Sequence, residues 1–407
     1  MQRLRLLVRT LHLWLGLAVG GLFALLGLTG SALVFYEAID GALHPQIAVT
    51  ADGAPPSWDS PVWDQALHTV RTRWPDRTGA WRFEATGTPG AIPARYQPPG
   101  AGHHGRRVMV WLTPDGRQVL READWGRYLM TWLYDLHMEL LAGAAGRNVV
   151  GGSGLAMLVL LLSGLWAWWP RGSWRKALHL KPDAVRSRRL RDIHKLAGLI
   201  ALPLLLMLTG TGVMLALPEP SNAVLAATLG TVAKTPAARS TARTGPPITM
   251  AQALAVAAQA LPQGRLAWVE APGRPDGVFM VRVQQPDDPS FRFPHSYVFV
   301  DQYSGAIVAR QDRSRFGTSN RINNWLHPLH DASIGGPVLR LLALIAGLIP
   351  AVLFVTGWMR WRLLRQSRAP LACGTDESHS SQRHLKDRSK GDRGPMNRET
   401  PPTRPRT

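Results

Sequence analysis

The chain lacks most of what covalent stapling or familiar nucleotide chemistry requires. Its 407 residues hold one cysteine, Cys373, which excludes an internal disulfide, a CxxC redox pair and a cysteine-rich metal site. Acidic residues are few, 27 Asp and Glu against 47 Lys and Arg, and none lies inside the four longest apolar runs. No GxGxxG follows a strand-like run and no Walker loop occurs. Gly151, Gly152 and Gly154 open an apolar run and do not read as a phosphate cradle. There is no convincing Ser/His/Asp arrangement, and no site of the chain's own for NAD(P)H or flavin.

Long apolar runs are abundant. Four are long enough to cross about 30 Å of hydrocarbon, which takes about 20 helical residues: Leu11–Tyr36, Val149–Trp169, Leu196–Leu217 and Val338–Trp361. Arg340 sits near the start of the fourth, where its side chain can snorkel. Pro203 and Pro350 lie inside the third and fourth, which membrane helices tolerate. Many of the 16 Trp stand near the ends of these runs, as interfacial aromatics do. The first run follows Arg3, Arg5 and Arg9, like a signal peptide. It is too long for one and no small-x-small site follows, so it reads as a retained anchor.

The net charge of +20 first suggests nucleic acid. The stretches before Leu11, from Pro170 to Lys195 and after Met359 hold 24 of the 47 Lys and Arg but only 7 of the 27 Asp and Glu. Basicity concentrated beside apolar runs is the positive-inside pattern, and no nucleic-acid partner is expected. The loop with Arg171, Arg175, Lys176, Lys181, Arg186, Arg188, Arg189 and Arg191 is then cytoplasmic. Both termini are cytoplasmic too. The expected location is a bacterial inner membrane, with residues 37–148 and 218–337 in the periplasm and lipid around the helices.

The reading is an α-helical membrane protein with four transmembrane helices and two periplasmic α+β modules. Its divisions are helix 1 (1–36), the first module with a His-bearing segment (37–148), helix 2 (149–169), a basic loop (170–195), helix 3 (196–217), the second module with its His-bearing segment (218–337), helix 4 (338–361) and a disordered basic tail (362–407). In the first module Pro61–Trp74 reads as a helix, and Arg107–Leu112 with Arg117–Leu120 as a hairpin. In the second, Thr249 caps a helix to Leu261, and strands come after it at Leu266–Glu270, Val278–Val283, Tyr297–Val300 and Ala306–Ala309.

The two halves read as a tandem parallel repeat of about 190 residues. His12–Gly16 matches His194–Gly198, and Leu28-Thr29-Gly30 matches Leu208-Thr209-Gly210. Trp132–His137 matches Trp325–His330. Four of the 13 His therefore take repeat-equivalent positions at membrane boundaries, His12 with His194 on the inner side and His137 with His330 on the outer side. Facing imidazoles in a four-helix bundle suit axial ligation of two b-type haems, one iron per pair. Gly16, Gly20, Gly27, Gly164 and Gly198 offer space for a porphyrin. A proton relay is the competing reading, but it wants Asp or Glu inside the helices. Zinc wants further ligands beside each pair. His327, one helical turn before His330, reads as a pocket neighbour, while His103 and His104 read as a solvated loop. His179, His379 and His384 have no visible partner.

These motifs resemble the PepSY-associated transmembrane proteins, a family that includes iron-uptake-associated ferric-siderophore reductases. LHLWLGL with LTGSALVF, WLYDLH, RDIHKLAGL and WLHPLHDAS carry the resemblance, and VFVDQYSGAIV resembles a PepSY strand–turn–strand. It covers about residues 1–365 and departs from the pattern between Thr86 and Arg106 and at His327, where the first half has Tyr134. It implies haem b held by His12, His194, His137 and His330, and electrons passed from a cytoplasmic or quinol donor to a ferric siderophore or other ferric chelate. Trp132, Trp325 and Arg321 are candidate contacts near the exit. A non-redox PepSY interaction protein, a transport accessory or a transporter remain the alternatives.

Overall fold

The computed structural model describes residues 2–100, 107–170, 172–241 and 245–367. The described residues up to Arg362 form one compact unit. In the second unit, the described residues 363–367 are helical through Gln366. The loop with His103 and His104, and the tail with Cys373, His379 and His384, lie outside the described residues.

Eleven α-helices and eight strands follow one another among the described residues. The first half comprises α1 (Gln2–Leu33), α2 (Tyr36–Leu43), α3 (Val62–Arg73), β1 (Ala80–Glu84), β2 (Ile92–Gln97), β3 (Val108–Leu112), β4 (Val119–Asp124), α4 (Leu129–Glu139) and α5 (Gly143–Trp168). A short α6 (Trp174–Leu178) lies in the basic loop. The second half comprises α7 (Arg186–Ala216), α8 (Pro218–Leu229), α9 (Met250–Ala260), β5 (Arg265–Ala271), β6 (Val278–Gln284), β7 (Ser296–Asp301), β8 (Ile307–Gln311), α10 (Thr318–His330) and α11 (Gly336–Gln366). The order of elements in the second half repeats that in the first.

The helices α1, α5, α7 and α11 are long and apolar enough to cross a membrane. All four run past the apolar stretches: α1 begins at Gln2, α5 at Gly143, α7 at Arg186, and α11 continues to Gln366. Lys, Arg and Gln are good helix formers, so helix does not stop where hydrophobicity does. Pro203 and Pro350 sit within α7 and α11 without ending them. All four helices share one apolar cluster, with Phe23, Met157, Leu161 and Leu205 at its centre and Ile349 and Leu353 against it. The helices α1 and α11 cross at Gly27 and Gly347, where a side-chain carbon on Gly27 would collide with the Gly347 carbonyl. Ser31 Oγ donates to Leu344 O at 2.8 Å beside this crossing.

The strands do not form two separate sheets. They form one antiparallel sheet of order β4-β3-β2-β1-β5-β6-β7-β8, joined in the middle by β1 and β5. At the seam Arg82 stands opposite Glu270 and Phe83 opposite Val269, and Arg82 Nε donates to Glu270 Oε2 at 2.8 Å. Each four-stranded set would otherwise expose an inner edge, and pairing the edges removes the unpaired N–H and C=O groups. A strand forms at Ile92–Gln97 despite Pro93. Its pairing with β1 begins at Ala94, so the missing N–H of Pro93 is not needed there.

One sheet face, with Trp81, Phe83, Val110, Val281 and Val298, packs on α3 and α9 through Trp63 and Leu254. These helices are themselves locked together. Thr249 caps α9 with Gln252 in a capping box, and Asp64 of α3 accepts from Met250 N (2.7 Å) and Ala251 N (3.1 Å) in the same first turn. The other sheet face turns towards α4, with Met109 and Trp111 packed on Tyr128 and Met130.

The single sheet is open to a direct test. Opposed residues on antiparallel strands have Cα atoms about 4.5–5.5 Å apart, within disulfide reach. Arg82→Cys with Glu270→Cys, in a chain with Cys373→Ser, should form an intramolecular disulfide on mild oxidation, detected by peptide mapping. Arg82→Cys with Asp276→Cys should not.

Candidate functional site

Each boundary histidine is held in the same way. His137, in the last turn of α4, places Nδ1 3.0 Å from Leu26 O and 3.1 Å from Thr29 Oγ1 of α1. His330, the last residue of α10, places Nδ1 3.0 Å from Leu208 O and 3.1 Å from Thr211 Oγ1 of α7. His194 of α7 does so with Leu353 O (3.0 Å) and Thr356 Oγ1 (3.1 Å) of α11. His12 of α1 places Nδ1 3.0 Å from Ser163 Oγ of α5, which itself donates to Leu160 O at 3.2 Å. A carbonyl only accepts, so Nδ1 carries the proton and Nε2 keeps the lone pair.

A glycine follows the hydroxyl residue at all four places. A side-chain carbon on Gly30, Gly164 or Gly212 would stand about 3 Å from the ring Cε1 of His137 (2.9 Å), His12 (3.0 Å) or His330 (2.9 Å). On Gly357 it would stand 3.5 Å from His194 Cε1. The ring therefore turns its Cε1 edge to a helix that must be bare there. The shared pattern is Leu-x-x-Ser/Thr-Gly: Leu26 to Gly30, Leu160 to Gly164, Leu208 to Gly212 and Leu353 to Gly357.

The rings meet in two pairs. His12 and His194 have centroids 6.3 Å apart at an interplanar angle of 83°. His137 and His330 have centroids 6.1 Å apart at 44°. Fourteen residues separate His12 from Leu26 along α1, about 21 Å at 1.5 Å per residue, so the pairs lie near opposite ends of the bundle. The cluster around Phe23, Met157 and Leu205 fills the space between with apolar side chains.

The family model described as the PepSY-associated TM region matches residues 9–363. The chain belongs to that family. A comparison with curated proteins finds no match. This PepSY-associated protein is thus a multi-pass membrane protein with four membrane-length helices and an antiparallel sheet region.

The donor set discriminates among metals. Among the described residues no three His, Cys, Asp or Glu gather at one point, so a closed tetrahedral zinc site does not fit. Two imidazoles bound through Nε2 at about 2.0–2.1 Å to one ion would have centroids about 6.4 Å apart. The observed 6.1 and 6.3 Å are close to that spacing. Two facing imidazoles with no third protein ligand would suit an iron whose other ligands come from a macrocycle, and in that respect the residues fit haem.

Several neighbours differ from the sequence reading. Thr209-Gly210 is not the counterpart of Thr29-Gly30, because Thr211-Gly212 takes that place beside His330. Of the glycines expected to make room for a porphyrin, only Gly164 touches a boundary histidine. Gly16 faces Leu160, Gly20 faces Phe354, Gly27 faces Gly347 and Gly198 faces Leu353. The glycines that do touch, Gly30, Gly212 and Gly357, could have been found by searching for the fourfold Leu-x-x-Ser/Thr-Gly pattern. His327 contacts Phe293 at 5.4 Å. Trp325 and Arg321 line a groove between α7 and α10 beside Thr211, and Trp132 is exposed on α4.

Gly212 and Gly210 separate the two alignments experimentally. Gly210 meets nothing within 4 Å, so Gly210→Leu should leave the thermal midpoint of the detergent-solubilised protein almost unchanged. Gly212→Leu should lower it by several degrees, as overpacking of about 1–3 kcal/mol implies. Equal effects would mean that His330 does not lie on Gly212.

Proposed function

We propose that this PepSY-associated membrane protein is a two-haem electron conduit that reduces ferric chelates outside a bacterial inner membrane. The observation that carries it is the pair of imidazole pairs, centred 6.1 and 6.3 Å apart near opposite ends of one bundle. In this reading the halves are a tandem parallel repeat, both termini are cytoplasmic and the sheet lies in the periplasm. The basic residues before Leu11, in the loop after Pro170 and after Met359 support that orientation.

His12 and His194 would hold the inner haem, and His137 and His330 the outer one. Haem b at these places supplies one-electron redox chemistry. The protein's own contribution is geometric. The Leu26, Leu208 and Leu353 carbonyls, and Ser163 Oγ, each accept a hydrogen bond from Nδ1–H and aim the ring. Such outer hydrogen bonds raise the basicity of the other nitrogen. Gly30, Gly164, Gly212 and Gly357 let the rings seat against the helices. The apolar middle of the bundle excludes water and ions between the two ends. A cytoplasmic donor or quinol would supply electrons. The substrate would be a ferric siderophore or similar chelate, since hard oxygen ligands hold Fe(II) less tightly than Fe(III).

The absorption spectrum of the purified protein, before and after dithionite, tests this. The wild type should carry two haems per chain with a b-type reduced α-band. The double variant His137→Ala with His330→Ala should keep one, and so should His12→Ala with His194→Ala. A colourless protein from cells supplied with ample haem would sink the conduit and favour a non-redox interaction module.

A further inference from the structure

The sheet face turned towards α4 and α10 carries a second set of groups that the boundary histidines do not use. Strand alternation and register put Arg95, Arg82 and Glu270 in one cross-strand row, with Glu84, Trp268 and Arg282 in the next. Most of this charge is neutralised locally. Arg82 pairs with Glu270, and Arg292 pairs with Glu84 and Glu37 at 2.8 Å each. Arg95 and Arg282 differ. Among the described residues neither makes an ion pair with a carboxylate, and Arg95 Nε is buried with no hydrogen-bond partner. A buried cation that no carboxylate neutralises is costly unless an anion arrives to meet it.

The two arginines are framed by aromatic rings. Arg95 lies 4.7 Å over Trp268 and 5.8 Å from Trp125. Arg282 lies 4.8 Å from Tyr297, whose hydroxyl it meets, and 6.0 Å from Phe293. Trp268 and Phe293 stack at 6.3 Å and 13°, Phe293 continues to His327, and Trp125 continues to Tyr134 at 5.4 Å. Tyr134 and His327 stand three residues before His137 and His330, one helical turn from the outer pair. The band is recessed and not sealed, because Arg95, Trp125, Arg282, Phe293 and His327 are all partly exposed.

Its charge state is set by the same surroundings. Burial and the nearby Arg292 push Arg95 down to about 10, so it stays cationic at neutral pH. Burial and Arg282 push His295 down to about 3, so it stays neutral. Arg95 on β2 and Arg282 on β6 have β1 and β5 between them, about 14 Å of backbone at about 4.8 Å per strand.

We propose that this partly exposed cation–aromatic band beside the outer histidines binds an oxygen-rich polyanion bearing aromatic rings, of the tris-catecholate metal-chelate class, in preference to neutral chelates. Arg95 and Arg282 supply the charge and select for it. Trp125 and Phe293, both partly exposed, receive the flat rings, while the buried Trp268 backs Arg95. The inference rests on the conduit reading only for the electron transfer after binding, and not for binding itself.

A redox-inert probe keeps the two apart. Gallium(III) tris-catecholate, a trianion, is titrated into the full-length detergent-solubilised protein and followed by tryptophan fluorescence and calorimetry. Neutral gallium(III) tris-acetohydroxamate serves as the comparison. The trianion should bind at least ten-fold more tightly than the neutral chelate. Arg95→Met with Arg282→Met should abolish that preference, while Arg95→Lys with Arg282→Lys should keep most of it and report on folding. Equal binding of the two chelates by the wild type would overturn the proposal. So would an unchanged preference in the Met variant, or loss of the preference in a folded Lys variant equal to that in the Met variant. Because gallium is not reduced, trianion selectivity in a protein without haem would leave this inference standing while the conduit falls. A haem-loaded protein without selectivity would do the reverse.

Discussion

The structure turns on the placement of four imidazole protons. In an apolar bundle an Nδ1–H without an acceptor would cost about 1–3 kcal/mol. Each ring avoids this by pointing Nδ1 at a backbone carbonyl, or at a serine hydroxyl that is itself tied to one. The acceptor, the hydroxyl and the bare glycine all come from five consecutive residues of a neighbouring helix. A membrane helix ordinarily offers no carbonyl to a neighbour's side chain, because side chains cover its surface. The glycine removes that cover, and the Ser or Thr fills the gap with a second polar contact. One nitrogen is thereby fixed and the other is left free to bind, without a charged group inside the membrane.

The two pairs depend on different parts of the fold. His12 and His194 belong to membrane helices, so the packing of those helices sets their separation. His137 and His330 belong to α4 and α10, which come directly after the last strand of each four-stranded set. The distance between them is therefore coupled to the β1–β5 seam. The Asp64 cap on α9 and the Arg82–Glu270 pair stiffen that seam from both faces of the sheet. The sheet serves as a frame that holds two short helices at a fixed gap over the bundle.

The four membrane helices were legible because apolar length is a strong signal. Their ends were not, since Arg- and Lys-rich flanks stay helical beyond the hydrocarbon, as at Arg186. The hairpin around Pro114-Asp115-Gly116 and the helix capped by Thr249 came from local turn and cap chemistry. The strand at Ile92–Gln97 was hidden by Pro93, whose harm depends on which edge lacks a partner. The union of two sheets into one was invisible, because no local pattern in β1 or β5 names a strand about 190 residues away as its neighbour. Around the site, the histidines stood out by position. The Thr211-Gly212 seat did not, because Leu208-Thr209-Gly210 mimics the first-half motif two residues too early.

Low-temperature EPR of the oxidised protein tests the central claim most directly, since it reads both the axial ligands and the angle between them. With rings at 83° in one pair and 44° in the other, the account predicts two distinct low-spin ferric signals of bis-imidazole type, one strongly anisotropic and one closer to ordinary rhombic form. High-spin iron alone, or no haem signal from a folded protein, would contradict it.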